Sequence, residues 1–385
     1  MHHRAPQNLS LLLCAFLHGL NHALQLALPP LYLSIRDDLR LDGLSPVMLL
    51  GTIYFVTYAV TGLPFGILGD RFSKKKILVL GTMLNSLAFV LAAYCHSYGL
   101  LAAAMILGGL GGGAYHPVGN ALLSNLFKGA VGRAFGIVGM GASVGLFLGP
   151  FASGYLGQLF GWRLTCIVFG VFGTTVAVAF ALIMPEEPPS GPSGNEEKAV
   201  AGRTLLIALL PVVAVFAMRD VCWWGFIYLT PAMSQMSVGF SGQMAGLLVG
   251  LTSVTGVVSQ PLAGTVSDRF GRRRVLAVAL TVSGVCVAFF PHMGPFSLFP
   301  LALVSGFMLL GTVPVVDAAA AEIVPPSMRG RFFGITLTLG LLIGALSPYV
   351  VGILYDATGS YTLPYFFMGL SALAGAVLTL MVLSK

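Results

Sequence analysis

Followed along the chain, apolar and polar positions fall into long apolar runs separated by short polar punctuation. About twelve such runs can be drawn, over residues 9–33, 47–69, 77–95, 100–126, 133–159 and a sixth ending near 184, then 204–233, 244–267, 275–292, 296–323, 332–355 and 361–383. About 20 apolar residues carry an α-helix across the hydrocarbon of a bilayer. No run shows the two-residue alternation of a membrane β-barrel, and a backbone in lipid has no third way to satisfy its N–H and C=O groups. The pattern therefore predicts an all-α membrane protein with twelve transmembrane helices.

The punctuation repeats. Gly66-Ile-Leu-Gly-Asp70-Arg71-Phe-Ser-Lys74-Lys75-Lys76-Ile77 returns as Gly264-Thr-Val-Ser-Asp268-Arg269-Phe-Gly-Arg272-Arg273-Arg274-Val275, with the two aspartates 198 residues apart. At the same offset Gly132-Arg133-Ala-Phe-Gly-Ile137 returns as Gly330-Arg331-Phe-Phe-Gly-Ile335, and Pro150 returns as Pro348. Three features at one offset mark an internal duplication. Residues 185–203 are rich in proline, glycine and charge and read as a flexible cytoplasmic linker. The expected organisation is a six-helix half over 1–184, that linker, and a second six-helix half over 204–385.

Composition supports this and removes one alternative. The chain is 57% hydrophobic and 9% charged, with mean hydropathy +0.91, more than a polar protein surface sustains. A formal charge of +7 would also suit a nucleic-acid binder, but sixteen of the 20 Lys and Arg fall at the ends and loops of one side of the predicted membrane. The other side holds Arg36, Arg40 and Arg163, and Arg219 lies inside a run. The positive-inside rule then places both termini in the cytoplasm of a multi-pass inner-membrane protein, with the lipid bilayer as partner and no nucleic acid. Cys14, Cys95, Cys166, Cys222 and Cys286 stand singly, without metal or disulfide spacing, and read as small buried groups. The first run carries His18, Asn21, His22 and Gln25, which a cleaved signal would not need, so it is expected to remain as helix 1.

The stretch at 66–78 fits the pattern G-x-L-a-D-r-x-G-r-k-x-x-L, with Ser73 at the second glycine; the later copy keeps Gly271 but has Val266 at the leucine. On these paired motifs the chain resembles the major facilitator superfamily of secondary transporters. The resemblance implies two pseudo-symmetric halves around a central cavity lined by helices 1, 4, 7 and 10, with substrate near the midplane. It also implies a cytoplasmic gate of Asp70, Arg71, Asp268 and Arg269, each aspartate beside a helix start of the opposite half, at Arg331 and Arg133 respectively. Helix 5, with Gly136, Gly145, Gly149-Pro150 and Ser153-Gly154, is similar to the superfamily's glycine-rich antiporter motif. Close helix packing explains the same glycines equally well.

Ionisable side chains in a span are costly and default to functional candidates. Helix 1 has His18, Asn21, His22 and Gln25 in one stripe, at i, i+3, i+4 and i+7; helix 4 has His116 and Asn120; helix 7 has Arg219-Asp220 and Trp223-Trp224; helix 10 has Asp317. The 198 offset pairs Asn21 with Arg219 and His22 with Asp220. Asn21, His22, Gln25, Tyr54, Tyr58, His116, Asn120, Arg219, Trp223 and Trp224 are the expected substrate contacts, with packing an equal reading for the tyrosines and the expected role of at least one tryptophan. The planar fork of Arg219 suits a carboxylate or phosphonate. Its alternative is a structural ion pair, for which Asp220 is the less natural partner because consecutive helical residues point about 100° apart. Asp220 and Asp317 are expected proton carriers, with His22 and His116 as rivals. His18 and His22 have the i, i+4 spacing of metal ligands but no third ligand beside them in sequence, so no metal is expected, and no cofactor beyond a proton gradient.

His18-Gly-Leu-Asn21 and Gly111-Gly-Gly-Ala-Tyr-His116-Pro117-Val-Gly119 look like the corresponding helices of fosmidomycin-resistance-type efflux proteins. Position 22, an acid in that group, is His22 here, and Leu107 stands where many drug/proton antiporters have arginine. The resemblance implies a transporter rather than an enzyme, working as a monomer on a small anionic or amphiphilic molecule. Proton-coupled efflux by antiport is the first expectation; proton-coupled symport of an organic anion such as a monocarboxylate is the alternative.

Overall fold

A computed structural model describes residues 4–127, 131–186, 202–323 and 338–383. Most of the expected linker, Gly330-Arg331 and the first residues of helix 11 lie outside the described residues. The described chain is helical, without strands. In order the helices are α1 (Arg4–Gln25), α2 (Tyr32–Asp38), α3 (Ser45–Arg71), α4 (Lys74–Ala93), α5 (Tyr98–Gly112), α6 (Tyr115–Leu126) and α7 (Val131–Ile183). There follow α8 (Gly202–Val238), α9 (Gly242–Val254), α10 (Gly256–Phe270), α11 (Arg272–Phe289), α12 (Pro295–Ile323), α13 (Ser347–Thr358) and α14 (Thr362–Val382).

Eleven of the described segments are long and apolar enough to cross a membrane, and one of them, Gly132–Ile183, is 52 residues long. At about 1.5 Å per residue that is near 80 Å, more than twice the hydrocarbon thickness. It is divided at Gly161, whose φ of 79° lies in the region open to glycine, and so supplies spans 5 and 6 of the expected twelve. Two other boundaries differ from the hydropathy reading. Helix 1 stops at Gln25 because Pro29 and Pro30 cannot continue its hydrogen-bond ladder; a 3-10 turn over Pro29–Leu31 leads into α2, which takes up part of the expected loop at 36–42. Spans 4 and 8 are each interrupted, between Gly112 and Tyr115 and at Thr255.

The chain divides into two compact units. The first comprises Met1–Asp42, Leu50–Ser193 and Phe240–Gly250, the second Gly43–Leu49, Gly194–Gly239 and Leu251–Lys385. In the first, Gly141, Gly145 and Gly149 of α7 lie against the backbone of Ala15, Gly19 and Ala23 of α1, so that a Cβ on any of the three would meet main chain. Gly109 and Gly111 likewise bring α5 onto the backbones of α3 and α4. In lipid the hydrophobic effect does not drive helices together, so such close approach, with its dispersion contacts, sets which helices pair. In the second unit a core of Val212, Val215, Phe216, Leu276, Leu280 and Val315 joins α8, α11 and α12, while Gly284 and Gly369 bring α11 and α14 together.

Several polar groups at the ends of spans are paired. Asp38 accepts from Arg163 Nη2 at 2.7 Å and from Trp162 Nε1 at 3.3 Å, and Arg163 Nη1 also donates to the carbonyls of Ala93 and Cys95. Asp356 caps α3, taking the N–H groups of Leu44 at 2.6 Å and Ser45 at 2.8 Å. The repeated motif also explains its own exception. Gly271 has φ 90°, where a side chain is strained, whereas Ser73 has φ −58° and its hydroxyl accepts from Lys76 N to cap α4.

Gly145→Ala should lower the unfolding temperature of the purified protein measurably, by about 1–3 kcal/mol of stability, because both sides of the clash are backbone. Gly136→Ala, in the same helix but with open space at the added carbon, should leave it unchanged. Equal melting curves for the two variants would show that the glycine face of α7 is not what seats α1.

Candidate functional site

Each unit gathers its own group of polar side chains, and the two groups differ in chemistry. In the first unit the α1 stripe turns towards α6. The chain is broken at Gly113 and Ala114, so α6 starts afresh at Tyr115 and its first turn carries His116 towards α1. Ring centroids of His116 lie 5.0 Å from His18 and 5.4 Å from His22, and His18 and His22 are 4.8 Å apart. Tyr115 stacks on His18 at 4.5 Å and anchors its own hydroxyl on the Cys14 carbonyl at 2.8 Å.

The ring nitrogens are held individually. His18 Nδ1 faces the Val138 carbonyl at 3.1 Å, which requires an N–H there, and His22 Nδ1 lies 2.7 Å from Gln25 Oε1. The two Nε2 atoms face each other at 3.1 Å. Asn21 donates to the Tyr58 hydroxyl at 3.2 Å, and the Tyr58 ring is 6.2 Å from His116. The structure thus brings His18, Asn21, His22, Gln25, Tyr58 and His116 together. Of these His18 was not among the expected substrate contacts, although its place in the stripe was the signal for it.

In the second unit Arg219 lies along α8 between Phe216 and Trp223, 5.9 and 6.0 Å from their ring centres. It is buried and paired directly with Asp220, Nη1 to Oδ1. Adjacent positions on a helix were expected to disfavour that pair. The long arginine side chain spans the angular gap, and in a medium of low dielectric the nearest carboxylate dominates. Arg219 Nε reaches Thr312 Oγ1 at 3.3 Å, and Nε and Nη2 share the Leu309 carbonyl at 3.4 Å, where Thr312 also binds. A guanidinium has five N–H bonds. One on each Nη atom is left without a protein partner among the described residues. Gly344 stands against Asp220 and Trp224, its missing side chain giving that pair room. Asp317, on α12, is exposed and within electrostatic reach of Arg219 and Asp220.

The remaining candidates fall elsewhere. Tyr54 is buried between helices and donates to Asn85 Oδ1 at 3.2 Å. Asn120 is exposed, one turn beyond His116, and its backbone carbonyl accepts from the Ser124 hydroxyl. Asp70, Arg71, Arg133 and Arg269 are exposed, and Asp268 is paired at 2.6 Å with Arg272 of its own motif, which also holds Glu322. Arg331 lies outside the described residues. A crevice of about 480 Å³ between α1 and α7 is lined by Leu, Ala, Phe, Gly and Val only, so it has no side chain to orient a polar solute.

The sequence profile of the Major Facilitator Superfamily matches residues 11–245 and 229–385. The chain is 24% identical over 342 residues to monocarboxylate transporter 12 of Xenopus laevis, covering 80% of this chain and 74% of the relative. It is 24% identical over 375 residues to a probable sulfoacetate transporter of Cupriavidus necator, covering 90% and 87%. With a probable 4-methylmuconolactone transporter of Cupriavidus pinatubonensis it shares 27% over 333 residues, 82% and 76% of the two chains. A crystal structure of a bacterial homolog of the human lysosomal transporter Spinster superposes with a TM-score of 0.80 over 98% of this chain and 95% of that one, at 18% identity, and so shares the fold. These matches speak for the superfamily and add nothing to the narrower likeness to fosmidomycin-resistance-type efflux proteins. With its paired Asp-Arg motifs and its helical, membrane-spanning fold, the chain belongs to the Major Facilitator Superfamily, as a multi-pass membrane transporter and not an enzyme.

Proposed function

We propose that this transporter carries a small organic anion together with a proton, Arg219 taking the carboxylate or sulfonate and Asp220 the proton. The observation that carries the proposal is the buried Arg219–Asp220 pair, with one N–H on each Nη atom of the guanidinium unclaimed among the described residues. While Asp220 is ionised it occupies the guanidinium and repels a second anion. Protonating it removes both obstacles, so proton and anion load together instead of competing. That linkage is the signature of symport, whereas proton-driven export of a cation requires competition for one carboxylate. Relatives named for monocarboxylates and sulfoacetate support the anionic class.

Asp317 stands exposed beside the pair and is the proposed route by which the proton reaches Asp220. The same cycle runs outward when the gradients are reversed, so export of the anion needs no second mechanism. The exposed Asp70 and Asp268 keep their proposed place in the cytoplasmic gate, with Arg331 and Arg133 respectively as the helix starts that they would meet.

Reconstituted protein should take up radiolabelled lactate or sulfoacetate when the outside is made acidic, and a lipophilic cation should be ignored. Arg219→Lys keeps the charge and loses the fork, so the KM for the anion should rise about tenfold or more, as for loss of a charge-assisted hydrogen bond of about 1.5–3 kcal/mol, with normal expression. Transport of cations alone, or an unaltered KM in the lysine variant, would remove Arg219 as the anion site.

Asp220→Asn separates coupling from binding. It should retain exchange of labelled for unlabelled anion across the membrane, because the guanidinium is released, while accumulation driven by a pH gradient disappears. If the variant still accumulates substrate against its gradient when the outside is acid, the proton is carried elsewhere.

A further inference from the structure

The histidine group of the first unit has a geometry that anion–proton symport through Arg219 and Asp220 does not require. We propose that His18, His22 and His116 form a three-imidazole site for a divalent transition-metal ion of the zinc type. One ring nitrogen from each of the three lies within 4.8 Å of the others. Three nitrogens around a zinc ion at about 2.0–2.1 Å sit about 3.3 Å apart in tetrahedral geometry. The His18–His22 separation of 3.1 Å is already close to that, and the His116 side chain has to bring its nitrogen in from at most 4.8 Å.

Three features make this more than proximity. His18 and His22 are one turn apart on one helix face, the spacing at which two imidazoles chelate one ion. Their outer nitrogens are engaged by acceptors, His18 Nδ1 by the Val138 carbonyl and His22 Nδ1 by Gln25 Oε1. In that tautomer both Nε2 lone pairs point into the same space, where they repel one another unless a cation lies between. Ligating histidines are held in this way by second partners that fix ring and tautomer. His116 approaches from a different helix, started anew at Tyr115, so the third ligand is independently placed.

The donor set decides the class of ion. Neutral imidazoles without carboxylate or thiolate suit zinc, copper or nickel and not calcium or magnesium. Three neutral ligands also leave the ion's charge uncompensated in a low-dielectric region, so the fourth position belongs to hydroxide or to an anion.

The test uses full-length purified protein stripped with chelator, without an affinity-tag polyhistidine and with His2→Ala and His3→Ala as background. Zinc chloride titrated calorimetrically at pH 7.5, without transport substrate, should bind at one ion per chain. Substituting His18, His22 or His116 by alanine should weaken binding 100-fold or more, while His96→Ala and His292→Ala, at exposed positions elsewhere, leave it unchanged. X-ray absorption on the zinc-loaded background protein should show three imidazoles in the first shell, a readout that does not depend on any of those variants folding. Absence of a stoichiometric site, binding that survives His18→Ala/His22→Ala/His116→Ala, or a shell without imidazole would overturn the proposal, and a proton shared between His18 and His22 would then account for their approach. None of these results depends on whether Arg219 binds an anion.

Discussion

A backbone in lipid must satisfy its own hydrogen bonds, and every other feature of this protein is arranged around that demand. It forces the described chain into helices, and it makes each departure from a helix informative. The breaks after Gln25, at Gly113 and Ala114 and at Thr255 interrupt three of the spans. One of them positions a histidine: without the restart at Tyr115, His116 would follow the rotation set by α5 and would not be aimed by α6. The same demand extends to side chains. Arg219, deep in α8, is in this structure a hub that holds Asp220, Thr312 and the Leu309 carbonyl.

The two polar groups solve the problem of burial in opposite ways. The first unit uses imidazole rings, two of them held by acceptors and one of these also stacked on Tyr115. The second unit uses opposite charges in contact. A buried ion pair costs several kcal/mol per ion in desolvation and is weak evidence of stability by itself. Under the proposed symport its presence has a functional explanation, because protonating one member would unmask the other. Structural economy would favour two apolar residues at 219 and 220.

Helix pairing depends on small residues where a soluble protein would use large ones. The glycines of α7 do not make that helix flexible in this structure; they let it lie on α1 backbone to backbone, in register with Ala15, Gly19 and Ala23. Of the two readings of that glycine series, close packing is the one with contacts behind it. The register also matters to the histidines, because Val138, which holds His18, is carried on the same stretch of α7.

The amino-acid pattern alone determined the helical class and the series of apolar spans, because hydropathy is a local property; the repeat of the Asp-Arg motifs is likewise read from the sequence alone. It also picked out most of the polar residues that the fold gathers into the two groups, because an ionisable group in an apolar run is conspicuous. What it could not supply was direction in space. Arg219 and Asp220 were judged poor partners from helical angles, yet a flexible four-atom arm in low dielectric closes that angle. His18 and His22 lacked a third ligand because His116 is 94 residues beyond His22 in sequence, and only the folding of α6 against α1 brings it within reach. Tyr54 and Tyr58 were indistinguishable as an i, i+4 pair; packing turned one to Asn85 between helices and the other to Asn21 beside the histidines. Rotation of each helix about its axis is set by contacts among residues far apart in the chain, and it decides which polar groups meet.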